Sequence, residues 1–147
     1  MPPRVPRPPG VWLGVDVGTV RVGVARSDPH GLLATPVVTL RRDPRTDRDI
    51  GELAGLVVEH DAVGVVVGLP RTLAGSEGTS ANMARNYARM LEIAIFPKPV
   101  HFVDERLSTT TAARRLAQAG RNSKKSRAVI DQAAAVVLLQ HWLDGAG

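Results

Sequence analysis

Three carboxylates lie at positions in this 147-residue chain where acidic side chains are not expected. Asp16 interrupts the most apolar strand that the pattern predicts, Glu105 directly follows the last predicted strand, and Asp131 lies in a predicted helix that is apolar on nearly every side. A buried carboxylate with no compensating charge is strongly destabilising, so each of the three needs a partner. If they converge, a divalent cation offsets their repulsion, and a ligand set of oxygens alone favours Mg²⁺ or Mn²⁺ over zinc.

Each carboxylate also has a simpler explanation that involves no metal. Asp16 could accept a hydrogen bond within a turn, and Glu105 could pair with the adjacent Arg106 or another exposed base. Asp131 could interact only with the dipole of its own helix. Because all three occur together in a basic chain, metal binding is the favoured interpretation. Asp104 precedes Glu105, and since successive strand residues point to opposite faces, only one of the two is expected to be a ligand.

The composition favours a polyanionic partner. The chain carries 19 Lys and Arg against 14 Asp and Glu, which gives a net charge of +5 and a sequence pI of about 10.7. A small domain this basic is typical of nucleic-acid-binding proteins. Aromatic residues make up only 3% of the chain, which disfavours base stacking and leaves the phosphate backbone as the expected contact. The absence of cysteine excludes disulfides and thiolate zinc sites.

One segment of the chain holds most of the excess positive charge. Residues 106–127 contain no acid, and this segment lies between two of the candidate ligands. A charge run is usually a solvated helix face, but such faces normally mix both signs. We therefore expect a nucleic-acid-binding surface here, with contributions from elsewhere in the chain. The candidates are Arg21, Arg71, Arg106, Arg114, Arg115, Arg121, Lys124, Lys125 and Arg127.

The elements that must position these residues follow from the hydrophobic period. Alternating or fully apolar runs predict strands, and runs with helical spacing predict helices between turn signals. The order βββαβαβαα predicts an α/β fold, a five-stranded mixed sheet with helices on both faces. The predicted strands are 11–17, 20–25, 32–40, 62–67 and 100–103. The first predicted helix begins with a cap at 46–49 and ends at about 59. The other predicted helices run from beyond 78 to about 94, from 108 or 109 to 120, and from about 126 to 144.

The ends of the chain carry two further expectations. Residues 1–10 are rich in proline and predict a flexible tail, which leaves 11–147 as a single domain. No apolar run approaches the roughly 20 residues of a membrane helix, and the first residues lack the apolar segment of a signal peptide. We therefore expect a cytoplasmic protein with no membrane contact.

Four blocks of sequence, taken together and in this order, resemble one known family. They are residues 14–19 with Arg21 and Gly23, residues 67–70 with 75–78, residues 104–109, and residues 127–135. Across about 11–143 the chain resembles the YqgF/RuvX family of Holliday-junction-resolvase-like nucleases. The resemblance implies an RNase H-like fold, with Asp16, Glu105 and Asp131 on the family's catalytic acidic positions.

The resemblance also implies an activity. It points to a metal-dependent endonuclease for structured nucleic acid, acting in 5′-end processing of pre-16S rRNA, in Holliday junction resolution, or in both. Two Mg²⁺ or Mn²⁺ ions would serve phosphodiester hydrolysis, with Asp16 bridging them and the other two acids each holding one side. The sequence leaves open whether RNA or DNA is the substrate, and whether the protein is a monomer or a homodimer.

Two other functions compete with this interpretation. The run Asp16–Thr19 after a first strand also resembles the phosphate loop of actin-like and sugar kinases, but those enzymes normally use two such domains and this chain has the length for one. A non-catalytic nucleic-acid-binding module with the same fold is the second alternative. The three acids disfavour it, because carboxylates repel a polyanion.

Overall fold

The computed structural model describes residues 7–71, 74–105 and 124–146. The predicted element order is confirmed in these ranges, and the helix predicted from 108 or 109 to 120 lies outside them. The elements are β1 (Val11–Val17), β2 (Arg21–Ser27), β3 (Ala34–Arg41), α1 (Arg48–Glu59), β4 (Ala62–Leu69), α2 (Thr79–Ile95), β5 (Val100–Asp104) and α3 (Lys124–His141), followed by a π-helical turn, Trp142–Ala146.

The five strands form the predicted mixed sheet, in the order β3-β2-β1-β4-β5. β1 pairs antiparallel with β2 and parallel with β4, while β3 and β5 form the two edges. The proline at position 36 predicts an edge strand because it cannot donate to a ladder, and β3 is indeed an edge. β1 and β4 are apolar on both faces because both faces are covered.

The helices pack on both faces of the sheet, as predicted, and make two separate cores. Leu13 and Val15 of β1 belong to the core beneath α1 and α2, together with Leu53 and Leu91. Trp12 belongs to the core on the opposite face, together with side chains of α3 and of the turn after it. Those side chains are Ala135, Leu138, Leu139, Trp142 and Leu143. Even-numbered positions of β1 therefore face α3, and Asp16 is one of them.

The start of α1 differs from the predicted cap. Asp47 adopts a left-handed backbone conformation (φ 53°), and its side chain makes no capping hydrogen bond. It instead accepts a hydrogen bond from Arg42 at 3.0 Å. The turn before the helix is held by Asp43, whose carboxylate accepts from the Thr46 hydroxyl (2.7 Å) and from the Arg45 amide (3.1 Å). A cap motif in the sequence cannot show which of two nearby aspartates closes the turn.

Asp49 at the beginning of α1 is a fully buried carboxylate with three kinds of donor. It accepts hydrogen bonds from the guanidinium of Arg42 (3.0 Å), from the backbone amide of Asp43 (3.0 Å) and from the Tyr87 hydroxyl (2.8 Å). The Arg42 guanidinium also lies over the Tyr87 ring, 5.0 Å from its centroid. Burial and the hydrogen bond to Asp49 raise the pKa of Tyr87 above its usual value. This network joins α1, α2 and the end of β3.

The described part of the proline-rich segment contacts the other end of the domain. The Arg7 guanidinium donates to the backbone carbonyls of Trp142 (3.2 Å) and Leu143 (2.9 Å), and it lies 4.9 Å from the centroid of the Trp142 ring. The Gly10 amide donates to the carbonyl of Pro29 at 3.0 Å. Neither α3 nor any other helix in the described ranges combines the length and apolar character needed to cross a bilayer.

Candidate active site

The three predicted carboxylates lie around one cleft, where β1 and β4 reach their carboxyl ends. Asp16 is the penultimate residue of β1, Glu105 directly follows β5, and Asp131 comes from α3 across the sheet. Parallel strands bring their carboxyl ends to the same edge of a sheet, which is where open α/β folds bind ligands. This acidic cleft has a volume of about 340 Å³ and is lined by Asp16, Val17, Gly18, Thr19, Val20, Arg21, Gly68, Pro70, Ser80, Met83, Glu105 and Asp131.

Asp16 is buried in the middle of the sheet. It is 3% exposed and lies directly opposite Gly23 in the antiparallel pairing of β1 with β2. The turn after β1 is closed by the backbone, since the Gly18 amide donates to the Arg21 carbonyl at 2.9 Å. An Asx turn from Asp16 is therefore not needed to close this hairpin. The carboxylate points toward α3, into the cleft.

Glu105 is a buried carboxylate that lies against β4. It is 7% exposed, and a methyl group at position 68 would overlap its carboxylate, so Gly68 makes the space that the side chain occupies. Burial, and then the negative charge of Asp104, raise the pKa of Glu105 to about 7. Asp104 points elsewhere and pairs with Arg71 at 3.6 Å. Only Glu105 of the two lines the cleft, which agrees with the strand alternation.

Asp131 reaches the cleft from the interior of α3. Residues from Lys124 onward are helical, so Asp131 lies about two turns inside the helix, beyond the first turn where the helix dipole acts. Its carboxylate Oδ2 instead accepts a hydrogen bond from Nε of Arg21, at 2.7 Å. Both side chains are partly buried, with 28% of Arg21 and 16% of Asp131 exposed.

The charge of the cleft favours a cation. Three acids and a single base, Arg21, are the only charged residues among the described residues that line it. All the charged candidate ligands are carboxylates, a donor set that fits Mg²⁺ or Mn²⁺. Within the described ranges, however, no three Asp, Glu, His or Cys side chains are arranged to hold a metal ion together. The carboxylates share a cleft, and one of them, Asp131, is already neutralised by an arginine.

The predicted nucleic-acid-binding residues divide into three groups. Arg21 lines the cleft, and Arg71 lies beside it with ion pairs to Glu77 (3.3 Å) and Asp104 (3.6 Å). Glu77 also accepts two hydrogen bonds from Arg85, at 2.6 and 2.7 Å. Lys124, Lys125 and Arg127 belong to the first turn of α3, for which the backbone is described. Arg106, Arg114, Arg115 and Arg121 lie outside the described residues.

The sequence does not reveal the residues that give the cleft its shape. Gly68 and Gly23 clear space for Glu105 and for the backbone of Asp131, and Glu77 acts as the counter-ion of Arg71. The sequence feature that could have identified Gly23 and Gly68 is their place inside apolar strands, because a glycine there marks a close approach of other atoms. A second cavity, of about 370 Å³, lies on the other side of Met83 and has no acid in its lining.

Comparisons with known proteins show what this chain is similar to. The model of the RuvX family, described as Holliday junction resolvase, matches residues 10–145. A protein of Frankia casuarinae is 56% identical over 134 residues, which cover 91% of this chain and 66% of that protein. A protein of Mycobacteroides abscessus is 55% identical over 135 residues, with coverage of 92% and 81%. Both carry the name "Putative pre-16S rRNA nuclease".

A solved structure shares the fold. The structure of T. thermophilus RuvC in complex with Holliday junction substrate superimposes with a TM-score of 0.57 over 92% of this chain and 94% of that one, at 16% sequence identity. The RNase H-like fold predicted from the sequence is therefore confirmed. The match of the family model over almost the whole chain, and the identity to relatives that the chain largely covers, show that this protein belongs to the RuvX family of Holliday junction resolvases.

Proposed function

We propose that this protein is a metal-dependent endonuclease for structured nucleic acid, with 5′-end processing of pre-16S rRNA as its main role. The observation that carries the proposal is the acidic cleft, in which Asp16, Glu105 and Asp131 come together from three separate elements. The names of the two relatives supply the rRNA precursor as the substrate, and the family supplies the four-way junction as a second one.

Phosphodiester hydrolysis needs an activated water, neutralisation of charge at phosphorus and stabilisation of the leaving oxygen. Divalent ions held by Asp16, Glu105 and Asp131 supply these effects when bound. Asp16 would be the shared ligand because it lies on the central strand β1, whereas Asp131 packs against β2 on one side and Glu105 against β4 on the other. Glu105, whose pKa of about 7 is raised by burial and Asp104, exchanges a proton near neutral pH when no cation is present.

The remaining residues of the cleft orient and bind the substrate. Thr19 and Ser80 place hydroxyl groups in the lining, where they can donate to phosphate oxygens. Lys124, Lys125 and Arg127 precede Asp131 in α3, so the phosphate backbone that enters the cleft would pass the beginning of this helix. A protein that acts on a ribosomal RNA precursor would work in the cytoplasm, and we propose that location.

Side-by-side cleavage assays test the proposal. An rRNA precursor and a mobile four-way junction are incubated with the protein in Mg²⁺ and in Mn²⁺, and the same assays are run with Asp16→Asn. We expect cleavage of the precursor by the unaltered protein and none by the variant, with the fold and nucleic-acid binding retained. Asp61→Asn is the matched control, because Asp61 is an exposed residue of the turn before β4, at the opposite end of that strand from the cleft.

The outcomes separate the alternatives. Cleavage retained by Asp16→Asn would refute the catalytic role of the acidic cleft. Tight binding of both substrates without cleavage in either metal would instead support the non-catalytic binding module. Faster cleavage of the junction than of the precursor would make DNA the principal substrate.

A further inference from the structure

The ion pair between Arg21 and Asp131 occupies one of the three carboxylates that the proposed function assigns to metal. The Arg21 Nε lies 2.7 Å from Asp131 Oδ2, and both side chains line the acidic cleft. We propose that Arg21 is a built-in counter-ion that competes with the metal for Asp131 and, once displaced, contacts the substrate phosphate. This inference rests on the proposed function and assigns both metal competition and substrate contact to a residue outside the carboxylate set.

The backbone on both sides of the pair is fixed, so only the side chains can change partners. The Arg21 carbonyl accepts a hydrogen bond from the Gly18 amide at 2.9 Å. In the backbone ladder, Arg21 at the start of β2 lies opposite Arg41 of β3. The backbone of Asp131 lies directly against Gly23, where no side chain separates helix from strand. A long arginine side chain that is 28% exposed can leave the carboxylate while α3 stays in place.

The charges in the cleft determine which partner Arg21 has with and without a bound cation. Without a cation, Arg21 is the only positive group among the described lining residues, and it neutralises the carboxylate that is most exposed of the three. A divalent ion at the carboxylates repels the guanidinium and competes for the same oxygen. The displaced guanidinium keeps its five donors, which suit bidentate contact with a phosphate. This competition would account for acids that share a cleft without forming a complete metal site among the described residues.

Metal affinity, measured without substrate, tests the competition. Mn²⁺ is titrated into metal-free protein by calorimetry for the unaltered chain, Arg21→Met, Arg21→Lys and the control Arg26→Met. Arg26 lies on the same strand, is exposed and contacts His60, outside the cleft. We expect Arg21→Met to bind Mn²⁺ about five- to tenfold more tightly, from the loss of one competing ion pair. Arg21→Lys and Arg26→Met should bind Mn²⁺ as the unaltered protein does.

A double-variant cycle distinguishes competition from a purely structural ion pair. In an Asp131→Asn background the substitution Arg21→Met should no longer tighten Mn²⁺ binding, because the shared oxygen charge is gone. Circular dichroism and melting temperature confirm that each variant is folded. Equal or weaker Mn²⁺ binding by folded Arg21→Met overturns the proposal, and a lowered melting temperature with unchanged affinity identifies the pair as structural only.

The contact with substrate is measured separately. At saturating Mn²⁺, Arg21→Met should cleave the preferred substrate at least tenfold more slowly than Arg26→Met, although its metal site is better occupied. Tighter Mn²⁺ binding with an unchanged cleavage rate overturns the phosphate contact. If the unaltered protein cleaves nothing, the proposed function fails while the Mn²⁺ result still decides whether Arg21 competes for Asp131.

Discussion

The backbone carbonyl of Asp131 lies so close to Gly23 of β2 that a methyl group at position 23 would overlap it. Gly23 in turn pairs with Asp16 across the antiparallel ladder of β1 and β2. One glycine therefore sets the separation between two of the three acids, because it lets α3 rest directly on the strand beside Asp16. Packing of a helix on a sheet without an intervening side chain makes this separation sensitive to small changes.

Gly23→Ala should push α3 away from the sheet. We expect a loss of about 1–3 kcal/mol in the free energy of unfolding, typical of overpacking, and a marked loss of cleavage. Gly55→Ala in α1 is the matched control, since no atom lies within 4 Å of its added methyl group. It should stabilise the protein by up to about 1 kcal/mol, because alanine is the better helix former. Urea unfolding measures both, and a Gly23→Ala variant of unchanged stability would contradict the close contact.

Glu105 should make the metal-free protein less stable as the pH rises. Burial and the charge of Asp104 raise the pKa of Glu105 from its usual value of 4.5 to about 7. A raised pKa in the folded state means that the stabilising contribution is complete below about pH 4.5 and is lost as the pH rises through about 7. Melting temperatures in a chelator should fall between pH 5 and 8, and Glu105→Gln should lose most of that dependence. The same slope in Glu105→Gln would contradict this assignment.

Asp49→Asn should be among the most destabilising single substitutions in α1. The carboxylate is fully buried and accepts from Arg42, Tyr87 and a backbone amide, so its loss leaves a largely buried guanidinium with weaker compensation. We expect a cost of about 3–5 kcal/mol in urea unfolding. Glu52→Gln is the control on the same helix, because its pair with Arg48 is exposed, and it should change stability by less than about 0.5 kcal/mol.

Lys124 and Lys125 should contribute to binding through phosphate contacts. Changing both to alanine should reduce the slope of log K against log salt by about one to two on duplex DNA. The double variant Arg26→Ala, Lys98→Ala removes the same charge from the end of the sheet opposite to the cleft, where β2 ends and β5 begins. It should leave the slope unchanged. Fluorescence anisotropy at several salt concentrations measures all three proteins, and equal slopes would exclude the beginning of α3 from the binding surface.

The sequence predicts the strands well because their signals are local. Apolar runs bounded by turn residues give all five strands within a few residues, and Pro36 identifies the edge. The sequence places Asp16 and Glu105 at or near the ends of strands, but the strand order that brings these ends together, and the packing of α3 that adds Asp131, are visible only in the structure. Side-chain contacts that depend on more distant residues are harder to predict from the sequence. The cap predicted at the start of α1 is wrong: the Asp47 side chain accepts a hydrogen bond from Arg42 and none from the first turn of the helix. This contact depends on the conformation of the whole loop before the helix.

The partners of charged side chains could not be predicted from the sequence. Arg21 and Arg71 are predicted as phosphate contacts, and in the structure each pairs with an acid of the protein, Asp131 for the first and Asp104 and Glu77 for the second. Arg21 and Asp131 are 110 residues apart in the chain, so only the tertiary fold brings them together. The catalytic and metal-binding roles of the three acids stay predictions until the variants above are measured.

The attachment of Arg7 to the carbonyls of Trp142 and Leu143 has a practical consequence for experiments. It brings the two ends of the domain together next to the beginning of β1, whereas Asp16 lies five residues farther along the strand, roughly 17 Å away. An affinity tag, a fluorescent dye or a surface linker joined near Arg7 or near the Trp142–Ala146 turn would therefore emerge at the amino end of β1, away from the acids. A circularly permuted version, with the old ends joined by a short peptide, should be feasible.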